Sequence, residues 1–440
     1  MASLAVFLGR ILSLFMFTCA CIAETSFRPK ALLLPVIKDS STNQYVTQIS
    51  QRTPLVPIKL TLDLGGESLW VDCDKDYISS TYKPVHCRSS LCSLVKTPVG
   101  CGGQCFSSPK PGCNNNSCSV FPENSVSGVS TIGELAKDVV SIHSTDGSNL
   151  GPVVSFPRLV FTCGATFLLE KLANGVKGMA GFGRSPIGLP SQLSHAFRFP
   201  RKFAICLSSS TTSNGVIFLG DGPYVMLPNV DISQSLTYTP LIVNPVSVPG
   251  TTVKGQNPSF EYYIGVKGIK VNTKVVPVNT TLFKINKLGF GGTRISTTVP
   301  YTVLESSIYN AVTNAFISSI SKVPRVKAVA PFKACYSAKS LGSTRLGPGV
   351  PSIEFVLQNK RSVSWMFFGA NSMVPVKDDV FCLGFVDGGL DTKEASITIG
   401  GYQLENALLQ FDLARSRLGF MSTILGRQTT CANFNFTSKA

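Results

Sequence analysis

A strand that runs into a tight turn and is followed at once by a second apolar run occurs twice in this 440-residue chain. The first is Ile58-Lys-Leu-Thr-Leu62, then Asp63-Leu64-Gly65-Gly66, then Ser68-Leu-Trp-Val71. The second is Gly291-Gly292-Thr293-Arg294-Ile295, then Ser296-Thr297-Thr298, then Tyr301-Thr-Val-Leu304. Two such units, far apart in sequence, point to a molecule of two similar halves. Further glycine-marked segments follow in order. Gly178-Met-Ala-Gly-Phe-Gly183 is set beside Phe367-Phe-Gly-Ala370, and Gly215-Val-Ile-Phe-Leu-Gly220 beside Ile397-Thr-Ile-Gly-Gly401. Composition agrees with a strand-built fold. The chain carries 38 Gly and 27 Pro, which punctuate short strands and turns and exclude a helical bundle. Hydrophobic residues at 44% and charged residues at 15% exclude a disordered chain. Apolar spacing of helical period is confined to Glu305–Ile320, with a short helix expected over Leu404–Leu409. Residues 222–260, rich in Pro, Val and Thr, read as the passage between an N-terminal lobe over 30–222 and a C-terminal lobe over 223–440.

Residues 1–23 read as a secretory leader. Arg10 supplies the positive flank, Ile11 to Ala23 the apolar stretch, and Cys21-Ile22-Ala23 the small-residue cleavage site. The stretch is too short for a membrane span, which needs roughly 20 apolar residues. No membrane association is expected of the mature chain. Of 14 cysteines, Cys19 and Cys21 fall in the leader. Cys73, Cys87, Cys92, Cys101, Cys105, Cys113, Cys118, Cys163, Cys206, Cys335, Cys382 and Cys431 remain. An even set in an exported chain implies disulfides. The cysteines crowded between 73 and 118 lie in Gly/Ser/Pro-rich sequence that cannot hold itself together by burial alone. No CxxC pair occurs, so zinc is disfavoured. Three sequons begin at Asn115, Asn279 and Asn435. The net charge of +16 is scattered, with no basic run or helix. Nucleic acid is therefore a poor partner for an exported chain, and an acidic secreted protein or acidic cell-wall polysaccharide a better one.

The ordered landmarks Leu62-Asp63-Leu64-Gly65, Leu69-Trp-Val-Asp-Cys73, Gly181-Phe-Gly-Arg184, Leu189-Pro-Ser-Gln-Leu193 and Phe411-Asp412 through Arg417-Leu-Gly-Phe420 resemble the pepsin-like aspartic proteases, in particular their secreted plant branch. The resemblance implies a mostly β, bilobal fold, with two β-barrel-like lobes and few short helices. It also implies the pairs Cys73–Cys163, Cys206–Cys431 and Cys335–Cys382, with the other six cysteines paired locally in an order left open. The family's chemistry needs one carboxylate per lobe. The two share a proton, one acting as general base on water and the other as general acid. The motif in each lobe is Asp-Thr/Ser-Gly. Here the first lobe reads Asp63-Leu64-Gly65 and the second Ser296-Thr297-Thr298, so Ser296 falls where the second Asp belongs. The flap, usually Tyr-Gly-Asp-Gly-Ser, reads Phe121-Pro-Glu-Asn-Ser125, and Phe121 lacks the tyrosine hydroxyl. These changes imply a catalytically dead protease homologue. His86, His143 and His195 are the only histidines, and no hydrolase elbow, Walker loop or dinucleotide loop occurs.

Phe27-Arg-Pro-Lys-Ala-Leu, Ile295-Ser-Thr-Thr-Val-Pro-Tyr-Thr-Val-Leu-Glu305 and Thr430-Cys-Ala-Asn-Phe-Asn-Phe436 are similar to the xyloglucan-specific endoglucanase inhibitor and extracellular dermal glycoprotein group. Basic 7S globulins belong to that group, and cereal xylanase inhibitors are more distant. The resemblance implies a secreted, extracellular plant-defence protein that blocks a microbial glycoside hydrolase; no metal or organic cofactor is implied, and a monomer is expected because no association motif occurs. Arginines on projecting loops suit that task, because a glycosidase cleft carries two carboxylates that a guanidinium can pair with. The candidates are Arg345, in Gly342-Ser-Thr-Arg-Leu-Gly-Pro-Gly349, and Arg427, in Leu425-Gly-Arg-Gln-Thr-Thr-Cys431. The alternatives are a weak or altered aspartic endopeptidase, which needs a second carboxylate not found in the sequence, a storage or signalling protein of the basic 7S type, and a xylanase inhibitor.

Overall fold

The computed structural model describes residues 28–95, 100–102, 105, 108–247, 257–358, 363–390 and 395–438. The leader lies outside them. Asp63 ends the strand Val56–Asp63, whose inward positions Ile58, Leu60 and Leu62 are buried. That strand pairs antiparallel with Tyr45–Gln51 and parallel with Val176–Gly181. Val176–Gly181 is also antiparallel to Trp70–Asp72, which runs parallel to Asn149–Gly164. The second half repeats this weave. Ile397–Ile399 lies parallel to Thr293–Ile295 and antiparallel to Thr302–Leu304, which runs parallel to Phe385–Asp387.

The weave corrects two correspondences drawn from glycine punctuation. The counterpart of Val176–Gly181 is Ile397–Ile399, not Phe367–Ala370, and Gly215–Gly220 is not matched to Ile397–Gly401. Gly215–Gly220 instead joins a sheet that underlies both halves. Its neighbouring strands, in order, are Ala31–Lys38, Gly215–Gly220, Lys202–Cys206, Leu408–Asp412, Arg417–Met421 and Thr237–Ile242. Strands from the two ends of the chain therefore share one hydrogen-bonded ladder. Over it, Phe203 and Phe411 stack with centroids 4.6 Å apart, and Tyr262 packs on Phe411 at 4.5 Å. The Tyr262 hydroxyl donates to the Phe182 carbonyl, which gives this buried aromatic the polar partner it requires.

The helix expected over Glu305–Ile320 forms as Ser306–Ser319. Glu305 caps it, accepting from the amides of Ser307 (2.9 Å) and Ile308 (3.2 Å). Ile308, Val312 and Phe316, one face at four-residue spacing, are buried. No helix spans Leu404–Leu409. The helical turn is Gly401–Leu404, and Leu408 already begins the shared-sheet strand, whose ladder outweighs local propensity. A helix the sequence reading did not draw runs over Leu189–Phe197, with Pro190 in its first turn, a position where the missing N–H is harmless.

Six disulfides join Cys73–Cys163, Cys87–Cys101, Cys92–Cys118, Cys105–Cys113, Cys206–Cys431 and Cys335–Cys382. Cys92 and Cys118 form a small satellite core with Val85, Val120, Leu135 and Val160, so the cysteine-rich segment is buttressed as well as cross-linked. Among the described residues, no helix is long and apolar enough to cross a membrane.

Candidate functional site

The two turns meet at the centre of the molecule. Asp63 is 4% exposed. Its Oδ1 accepts from the Gly65 amide at 2.8 Å, and its Oδ2 from the Ser125 hydroxyl at 2.5 Å. Burial pushes its carboxyl above the usual value near 3.8. The Ser125 and glycine donors pull against that push, and the Glu261 charge adds to it. Opposite, Ser296 donates its amide to Ile399 at 2.9 Å, and its hydroxyl lies 3.1 Å from that of Thr298. It closes a local turn, and no hydrogen bond to Asp63 is present among the described residues.

The contact between the two turns runs through the residue beside it. The Thr297 hydroxyl donates to the Leu62 carbonyl at 2.7 Å and accepts from the Leu64 amide at 3.3 Å. Leu64, fully buried at the mirrored place, has no hydroxyl to return the bond. The junction is therefore half of a reciprocal pair.

The hairpin of Glu123–Asn124 and Val129–Ser130 covers Asp63. The residue that reaches the carboxylate is Ser125, while Phe121 is 41% exposed. The hairpin is tied down at further points. The Trp70 indole donates to the Glu123 carbonyl at 2.8 Å, and the buried Asn124 amide donates to Leu168 and Glu170 carbonyls at 2.8 and 2.9 Å.

Sequence reasoning found no second carboxylate, yet Glu261 is one. It packs on Gly65, where a Cβ would lie 3.1 Å from Glu261 Cγ and 3.5 Å from both Glu261 Oε1 and Asp63 Oδ1. Its charge is already committed. Arg294 Nη1 lies 2.6 Å from Oε1, Arg294 Nε donates to Thr398 at 2.9 Å, and the Tyr263 hydroxyl donates to Oε2 at 3.1 Å. A catalytic dyad shares one proton between two carboxyls. Both Glu261 oxygens already have partners of their own, Arg294 on Oε1 and Tyr263 on Oε2. Its partners Ser259 and Tyr263 flank it in sequence, but Arg294 lies 33 residues away, so no local pattern marks the site.

The two loop arginines occupy different surroundings. Arg345 tops the hairpin of Gly342–Thr344 and Gly347–Gly349 and is exposed. It has no hydrogen bond or ion pair among the described residues. The turn beneath it is stiff. Thr344 Oγ1 donates to the Gly347 carbonyl at 2.8 Å and accepts from the Leu346 amide at 3.1 Å, while the Ala370 amide donates to the Leu346 carbonyl at 2.7 Å. Gly347 has φ +94°, and a Cβ there would lie 2.2 Å from the Ala370 nitrogen, so only glycine fits. Arg427 is also exposed, at the end of the helical turn Leu425–Arg427, but its Nη2 donates to the Ser235 hydroxyl. Cys431, four residues on, is fixed by its bond to Cys206.

Of the sequons, Asn279 is exposed and uses only its carbonyl oxygen, accepting from Thr281. Asn115 is exposed and accepts from the Cys105 amide. Asn435 is half-buried, and its Nδ2 donates to Asn149 at 3.0 Å. The three histidines lie elsewhere, His86 and His195 exposed and His143 half-buried with Nδ1 3.1 Å from the Gly151 carbonyl.

Two family models match the chain: xylanase inhibitor N-terminal over residues 45–221 and xylanase inhibitor C-terminal over residues 261–422. A probable aspartic proteinase GIP2 of Nicotiana benthamiana is 60% identical over 428 residues, covering 97% of each chain. The crystal structure of edgp superposes with a TM-score of 0.91 at 59% identity, over 94% of this chain and 100% of that one. Soybean basic 7S globulin gives 0.79 at 36%, over 92% and 98%. An aspartic proteinase from Irpex lacteus, 15% identical with a TM-score of 0.55 over 91% and 99%, shares the fold.

Proposed function

The chain belongs to the xylanase-inhibitor family of pepsin-fold proteins, and from that premise we propose that it is a secreted inhibitor of microbial cell-wall-degrading glycoside hydrolases without peptidase activity. The observation that carries this reading is the Arg345 hairpin, an exposed guanidinium with no partner among the described residues, on a stiff turn. The stiff turn leaves mainly the arginine side chain to be ordered on binding, and its guanidinium suits pairing with a carboxylate of an acidic cleft. Arg427 is the second candidate contact, and the net charge of +16 steers the protein toward acidic enzymes. We put xyloglucan-specific endo-β-1,4-glucanase first among targets and xylanase second. Export is supported by the leader sequence and the six disulfides. Three features support the loss of peptidase activity. Ser296 stands in the second acid's place, the Ser125 hydroxyl is bonded to Asp63 Oδ2, and Arg294 is paired with Glu261.

The likeness to soybean basic 7S globulin favours a storage or signalling role as the second reading. The test is a paired titration of the purified protein into a fungal xyloglucanase and a fungal xylanase. Stoichiometric loss of the first activity supports the leading target, and loss of the second alone moves the target. Loss of neither at micromolar protein refutes the inhibitor reading in favour of the second.

A further inference from the structure

Arg427 does not stand alone on its surface. Beside it a small hairpin, Val225–Met226 with Val230–Asp231, turns through Leu227, Pro228 and Asn229 and is closed by the Asn229 amide donating to Met226 at 2.9 Å. Its base is fixed, since Tyr224 and Met226 are buried with Cys431 and Phe434. Its tip is bonded to the segment that follows Arg427. The Leu227 amide donates to the Asn433 carbonyl at 2.8 Å, and the Thr429 hydroxyl donates to the Leu227 carbonyl at 2.8 Å. The short helix after the hairpin, Ile232–Ser235, is capped by Asp231 and delivers the Ser235 hydroxyl to Arg427. Yet the Leu227 side chain is 51% exposed. The backbone is thus held from both sides while the apolar side chain is presented outward next to a cation.

We infer that this tip, Leu227–Asn229, is a second contact element beside Arg427, taking an apolar wall of the glycoside hydrolase cleft. The inference rests on the inhibitor reading and deepens it. A pyranose presents C–H faces as well as hydroxyls, so clefts that bind sugars combine apolar walls with a few placed polar groups. An inhibitor that fills such a cleft needs a cation for the carboxylates and an apolar group for the wall. Arg427 and Leu227 offer these on neighbouring segments that are hydrogen-bonded to each other.

The experiment uses the full-length secreted protein against a fungal xyloglucanase, with inhibition constant, melting temperature and light scattering measured for Leu227→Ala, Leu227→Asp, Arg345→Ala and Arg427→Ala. Leu227→Ala is expected to weaken inhibition about tenfold, as a truncated interface anchor does. Leu227→Asp is expected to weaken it about a hundredfold or more, because it sets a carboxylate against the enzyme's own. Melting temperatures should not move, since the side chain is exposed. If Leu227→Asp melts lower, uncharged Leu227→Gln decides the question, with weakening expected here too. Weakening by the arginine variants alone overturns this inference and spares the inhibitor reading. Weakening by none of the four overturns both. A change of oligomeric state in the Leu227 variants with inhibition intact makes the tip a self-contact and also overturns the inference.

Discussion

Replacing Thr297 with Val isolates the hydrogen-bonded junction between the two central turns. The two side chains have the same shape, so no cavity opens, and the change removes only the hydroxyl that donates to Leu62 and accepts from Leu64. The Leu64 amide, in a fully buried residue, then has no acceptor. A stranded buried amide costs about 1–3 kcal/mol, and the lost bond to Leu62 about 0.5–1.5 kcal/mol. The added buried methyl returns under about 1 kcal/mol. The net expectation is about 2–3 kcal/mol of destabilisation. For a chain of this length that is a fall in melting temperature of about 2–3 °C. The control is Thr298→Val, whose hydroxyl bonds only within its own turn and which should shift melting by less than about 1 °C. Hydrogen exchange gives the local reading, with the Leu64 amide losing protection in Thr297→Val and keeping it in Thr298→Val. Equal melting shifts for the two variants, with Leu64 still protected, would refute the account in which the Thr297 hydroxyl joins the two central turns.

The buried carboxyls of Asp63 and Glu405 are both raised by desolvation, Glu405 despite its 2.8 Å ion pair with Lys38. An acid raised on folding contributes stability below its unfolded pKa and loses it as pH rises through the folded value. The melting advantage of Asp63→Asn over the natural protein should therefore grow between about pH 4 and 7, and a gap that shrinks over that range contradicts the burial argument. The Cys206–Cys431 bond spans 225 residues. Removing both cysteines should cost about 5 kcal/mol, or about 5 °C in melting, and a shift under about 2 °C counts against a loop-closure origin. Glycan mapping of the secreted protein should find Asn279 occupied more fully than Asn435, whose Nδ2 is engaged by Asn149; the reverse order contradicts the exposure argument.

The doubled architecture was legible because both halves use the same punctuation. Leu62-Asp63-Leu64-Gly65 and Ile295-Ser296-Thr297-Thr298 align as strand end and turn, and the structure gives both the same weave. The pairing of later segments was not legible. Gly215–Gly220 and Ile397–Ile399 look alike as short buried apolar runs, and only tertiary hydrogen bonding decides which sheet each joins. The shared ladder from Ala31–Lys38 to Thr237–Ile242 draws strands from both chain ends, which no local pattern encodes. At the centre, the losses at Leu64 and Ser296 could be read directly. Glu261 and Ser125 could not, because each reaches Asp63's surroundings from a distant segment. The same holds for the loops, since Arg345 and Arg427 look equivalent in sequence. Only the fold shows that one guanidinium is free and the other rests on Ser235.

The central claim is that the Arg345 guanidinium occupies a glycoside hydrolase cleft. Its most direct test is the inhibition constant of Arg345→Ala and Arg345→Glu against xyloglucanase over a range of substrate concentrations. The account predicts competitive inhibition, weakened about 30-fold or more by Ala and further by Glu, with melting unchanged because Arg345 has no partner within the described residues. Inhibition that is non-competitive, or that Arg345→Ala leaves at the natural strength, contradicts it.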